Sequence, residues 1–98
     1  MNGVDTALLS EIARRWRLRE LAVFGSVARG DGGPDSDLDL LIDFDEADDW
    51  SLLDVARLKV ELEDAVQRRV DLVERGAIRN PYRRRTILRD ARTVYVAG

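Results

Sequence analysis

Apolar residues recur along this chain at two different spacings. Leu8, Leu9, Ile12, Ala13 and Trp16 fall three and four apart, which predicts an amphipathic helix capped by Asp5 or Thr6. Leu21-Ala22-Val23-Phe24 is a short unbroken apolar run that ends at a glycine, the pattern of a buried strand. Residues 31–36 (Asp-Gly-Gly-Pro-Asp-Ser) are turn formers throughout. From Leu38 to Phe44 the period becomes two, with Leu38, Leu40 and Ile42 on one face and Asp37, Asp39 and Leu41 on the other. Ser51 with Asp54 three residues on predicts a capping box, followed by a helix that buries Val55, Leu58, Leu62 and Val66. Val70-Asp71-Leu72-Val73 predicts a third strand. Asn80 and Pro81 open a last helix whose inward residues are Ile87, Leu88, Ala91 and Tyr95. The predicted order is α-β-β-α-β-α, one α/β domain over residues 1–98 with no repeat or linker.

Composition narrows the chemistry. A chain of 98 residues with 45% hydrophobic content supports a single modest core and leaves no room for a second substrate-recognition domain. No apolar run is long enough to span a membrane, and residues 1–9 lack the basic-then-apolar pattern of a secretory signal, so a cytoplasmic location is expected. Cysteine and histidine are both absent, which removes disulfides, thiolate nucleophiles, imidazole bases and nitrogen- or sulfur-ligated metals. A metal here would sit on oxygen ligands, as magnesium, manganese or calcium do.

The net charge of -3 conceals two blocks. Residues 31–54 carry ten acids and no base, whereas residues 75–98 carry seven arginines against the single acid Asp90. The blocks are either two solvated faces or a cation site beside an anion contact.

The acids are spaced for chemistry. Residues i and i+2 of a strand project to one side, roughly 6.6 to 7 Å apart, so Asp37 and Asp39 can share divalent cations. Without a cation the pair repels itself, and a bound divalent ion reverses that penalty. Gly25 lets backbone approach a ligand closely, and Ser26 adds a hydroxyl. A short helical turn after Ser26 would aim N–H groups at an anion. Asp71, flanked by apolar residues, would join Asp37 and Asp39 if its strand lay beside theirs. Each feature alone is commonplace; strand, Gly-Ser, a ten-residue gap and strand-borne Asp-x-Asp in that order are not.

That segment, FGSVARGDGGPDSDLDLLIDF, resembles the signature of the nucleotidyltransferase superfamily that includes DNA polymerase β. More closely it is similar to the minimal nucleotidyltransferases, small proteins usually paired with a HEPN-domain partner as antitoxin and toxin. The likeness extends from the first helix to NPYRRRTILRDARTVY. It implies a small mixed β-sheet flanked by helices, the polymerase-β-like palm. By position it implies metal-binding and catalytic roles for Asp37, Asp39 and Asp71, with Asp71 helping to deprotonate the attacking hydroxyl. Gly25 and Ser26 would hold the nucleoside triphosphate, and Arg29 would contact phosphate or partner. The implied reaction is transfer of AMP from ATP, with magnesium or alternatively manganese, to a tyrosine of a partner HEPN toxin in a hetero-oligomer. The alternative is an antitoxin that neutralises by binding alone, through the arginine-rich last helix and an exposed Trp50 region. A nucleic-acid binder is argued against by the acidic middle of the chain.

Overall fold

A computed structural model describes residues 3–45 and 47–98. Its elements are α1 (Thr6–Arg15), β1 (Glu20–Phe24), α2 (Gly25–Arg29), β2 (Leu38–Asp43), α3 (Leu52–Val66), β3 (Val70–Glu74), a 3-10 turn (Arg75–Ala77), α4 (Pro81–Asp90) and β4 (Arg92–Val96). Local chemistry starts the three long helices as expected. The Asp5 carboxylate accepts from the Leu8 N–H at 3.1 Å. Ser51 and Asp54 form a reciprocal capping box, and Asn80 caps Tyr82 and Arg83 ahead of α4. No helix among the described residues is long and apolar enough to cross a membrane.

The strands form one sheet in the order β3-β2-β1-β4. β1 runs antiparallel to both β2 and β4, and β2 runs parallel to β3. The sheet is mixed, and it separates two apolar layers. On one face Leu21, Val23, Leu38, Leu40 and Ile42 pack with Leu9, Ile12 and Ala13 of α1 and Leu58 and Leu62 of α3. The other face carries a smaller cluster of Ala22, Phe24, Leu41, Ile78 and Ile87 under α4. The period-two reading of β2 therefore holds, with Leu41 facing α4 and its neighbours facing α1 and α3.

Two expectations are corrected. The last helix stops at Asp90, with Ala91 as an extended cap, and Tyr95 lies in β4 rather than on a helical face. Thr93, Val94, Tyr95 and Val96 are β-branched or aromatic residues that favour a pleated surface, and β1 offers them an open edge. Nor is Trp50 an exposed patch. It is half-buried, its ring stacked on Phe44 at 4.7 Å and tilted against Trp16 at 5.6 Å, closing the end of the larger core.

Candidate active site

The end of β1 sets the first wall of the site. Phe24 is extended, and Gly25 turns the chain at φ +71° directly into α2. A Cβ at position 25 would stand only 3.0 Å from Cγ and 3.3 Å from Cβ of Asp39, with the carboxylate oxygen closer still. Both the left-handed backbone and the contact demand glycine. The Ser26 carbonyl accepts from the N–H groups of Asp31 and Gly32 at 2.9 and 3.1 Å, so the loop folds back beneath α2. Gly32 is pressed there too, since its Cβ would lie 3.0 Å from Val27 and 3.2 Å from the Ser26 hydroxyl.

The acids form the second wall. Asp39 pairs with Phe24 across β1 and β2 and with Asp71 across β2 and β3. Asp39 is half-buried, whereas Asp37 and Asp71 are exposed. Burial pushes the Asp39 carboxyl above its ordinary range, the charges of Asp71 and Asp37 push it further, and Arg29 and Arg83 pull it partly back. Asp71 and Asp37 thus both lie near enough for their charges to act on Asp39. Asp37 is placed by the turn before β2. Ser36 N–H donates to the Gly33 carbonyl at 3.1 Å, Gly33 N–H donates to the Ser36 hydroxyl at 2.9 Å, and Arg68 donates to the carbonyls of both residues. A cavity of about 320 Å³ opens beside Asp37 and Asp71 and is lined further by Lys59, Glu63, Arg69 and Val70.

Among the described residues no group of three acids is gathered tightly enough to hold a metal ion unaided. The donor set nevertheless suits a hard cation. Magnesium is commonly held by one or two carboxylates plus substrate phosphates rather than by an all-protein cage. Asp39, pushed up in pKa by burial and then by its acidic neighbours, with the exposed carboxylates of Asp71 and Asp37 near it, could supply that half of a coordination shell.

The nucleotidyltransferase domain family matches residues 6–94. The chain belongs to that family. Protein adenylyltransferase MntA of Thermococcus cleftensis is 41% identical over 96 residues, covering 98% of this chain and 92% of the relative. Among solved structures, a toxin–antitoxin with AMP-PNP matches at TM-score 0.80 and 18% identity, over 97% of this chain and 76% of the other. A tri-AMPylated Shewanella oneidensis HEPN toxin in complex with MNT antitoxin matches at TM-score 0.68 and 18% identity, over 99% of this chain and 74% of the other. At 18% identity the likeness to those two shows the fold alone.

Around this nucleotidyltransferase core the arginines divide by what they touch. Arg29 borders the acids, yet its guanidinium donates to Asp31 at 3.3 Å and to Asp90 at 3.1 Å. Asp90 is only 10% exposed and is held below the ordinary carboxylate range by Arg89 and Arg29. The Arg29–Asp90 pair ties α2 to the end of α4. Sequence reasoning missed Arg68, Arg83 and Asp90 as residues that shape the site. Arg68 and Asp90 act across 32 and 61 residues of chain, and nothing in local spacing signals such contacts.

Proposed function

We propose that this protein transfers AMP from ATP to a tyrosine hydroxyl of a HEPN toxin and so acts as its antitoxin. The observation that carries this reading is the position of Asp39, wedged against Gly25 on one side and paired with Asp71 on the other. Its reaction class accords with the adenylyltransferase relative, and its partner with the toxin–antitoxin complexes that share the fold.

Asp37, Asp39 and Asp71 would hold magnesium, or alternatively manganese. When bound, the ion offsets phosphate charge and acidifies the attacking hydroxyl. Gly25 lets the α2 loop approach the phosphates without a side chain between, and Ser26 offers its hydroxyl as a donor. Asp71, exposed at the start of β3, would accept the proton of the incoming tyrosine. The tyrosine oxygen bonds to the α-phosphorus as the bond between that phosphorus and the β-bridging oxygen breaks, and pyrophosphate leaves. Arg29, held by Asp31 and Asp90, fixes α2 against α4 while this occurs.

The test is intact-mass spectrometry of a HEPN toxin after incubation with this chain and ATP-magnesium. The expected result is a mass gain of one or more AMP units that Asp39→Ala abolishes. Neutralisation that persists in the Asp37→Ala, Asp39→Ala double variant, with no mass gain, would assign the protein to binding antitoxins and overturn the enzymatic reading.

A further inference from the structure

A triphosphate brings strong negative charge to a site already holding Asp37, Asp39 and Asp71, so protein cations are needed there beyond the metal. Two arginines act on Asp39, Arg29 and Arg83. Arg29 is committed to two carboxylates. Arg83 has no ion-pair partner among the described residues, unlike Arg15, Arg29, Arg75 and Arg89.

The position of Arg83 follows from the packing of α4. Ile87 is 4% exposed and packs in the small cluster with Phe24 and Leu41. Phe24 is the register partner of Asp39, and Leu41 follows it by two on the same face of β2. Arg83 precedes Ile87 by four residues and therefore shares its stripe, facing the sheet surface that bears the acids. The backbone there is fixed, because Asn80 accepts from the N–H groups of Tyr82 and Arg83 at 2.9 and 3.1 Å. An exposed guanidinium on a capped helix end, facing carboxylates without pairing to one, is suited to a phosphate chain, which it can grip with two parallel hydrogen bonds.

We propose that Arg83 binds the triphosphate of the nucleotide and later the departing pyrophosphate. The assignment rests on the nucleotidyl-transfer reading above. It also separates Arg83 from Arg85, which the helical period turns to the opposite side of α4 from Ile87, and from Arg89, which pairs with Asp90.

The experiment is calorimetric binding of magnesium AMP-PNP and of magnesium pyrophosphate to the full chain and to Arg83→Gln, Arg83→Lys and Arg85→Gln. Because Arg83 is exposed, the variants should fold, and thermal melts check this. Arg83→Gln is expected to weaken both ligands about tenfold or more, Arg83→Lys to recover part of the loss, and Arg85→Gln to match the parent. Binding by Arg83→Gln equal to the parent, or an equal loss in Arg85→Gln, overturns the assignment and leaves the transferase reading intact. If Arg83→Gln binds nucleotide normally but loses affinity for the toxin, Arg83 belongs to the protein interface, and the assignment again falls. Should the parent chain bind neither ligand, the transferase reading fails and Arg83 with it.

Discussion

Replacing Asp39 by Asn should stabilise the ligand-free protein while abolishing transfer. Asp39 faces Asp71 across one strand spacing, ~4.8 Å, and Asp37, just ahead of β2, two residues back along the chain, ~6.6 Å. At an effective dielectric of ~40 to 80, these repulsions come to ~0.9–1.7 and ~0.6–1.3 kcal/mol. Arg29 and Arg83 cancel part of that. A net penalty of ~1 kcal/mol remains, which in a domain of this size corresponds to a rise in Tm of about 4–8 °C on neutralisation. The amide keeps the shape that fits against Gly25. The assay is thermal denaturation at low salt in EDTA, parent against Asp39→Asn, near neutral pH and again in acid. Burial and its acidic neighbours raise the folded-state pKa of Asp39 above the unfolded 3.8, so the protonated form favours folding. That favour is fully present below the unfolded value and lost as pH rises through the folded one. The advantage of Asp39→Asn should therefore be largest near neutrality and vanish on acidification. Magnesium should raise the Tm of the parent more than that of the variant. An Asp39→Asn protein that melts at or below the parent in EDTA near neutral pH would refute the reasoning.

Three further outcomes follow from the same geometry. Gly25→Ala should lose ~1–2 kcal/mol in urea denaturation from the left-handed backbone, and about a hundredfold or more in AMP transfer measured by mass spectrometry, because the new Cβ displaces Asp39. Arg68→Ala should cost ~1–2 kcal/mol by removing donors to the carbonyls of Gly33 and Ser36, and should lower transfer because the turn that places Asp37 loosens. Arg15 and the Trp16 indole hold the Glu61 carboxyl below its ordinary 4.5, so their contribution is present above that value and lost as pH falls below it. Glu61→Gln should accordingly flatten the decline of Tm in acid.

What could be read in the sequence was whatever local period or local chemistry decides. The two-residue alternation through Leu38–Asp43 placed its acids and its leucines on the correct faces, and Gly25 announced the turn into α2. The caps at Asp5, Ser51 and Asn80 marked their helices because capping needs only three or four neighbouring residues. The segment Arg92–Val96 was misread because its conformation is chosen by β1, seventy residues upstream, whose free edge outweighs helical continuation after Asp90. Trp50 sits among acids in a loop, and only the fold brings it onto Phe44 and Trp16. Arg68 and Arg83 were hidden for a related reason. Long arginine stems reach partners that are distant in sequence, and a basic run looks alike whether it is solvated or aimed at a site.

The topology of the sheet explains why so small a chain can assemble a three-sided site. β1 is antiparallel to β2, so its last residue, Phe24, and the Gly25 turn lie beside the start of β2 at Asp39. β3 is parallel to β2, so it also starts there, with Asp71 opposite Asp39. A hairpin between β2 and β3 would reverse β3 and carry Asp71 to the opposite end of the sheet. Parallel pairing needs a long crossover, and the fifteen-residue α3 supplies it. Leu58 and Leu62 dock that helix on the face away from Asp39 and Leu41, where it closes the larger core and lends Lys59 and Glu63 to the cavity beside Asp37 and Asp71. The opposite face keeps only the small cluster under Ile78 and Ile87, which leaves Asp39 and Asp71 reachable from the α4 side. Stability and chemistry are thus divided between the two faces, and α3 serves both by closing one and setting the direction of the strand that completes the other.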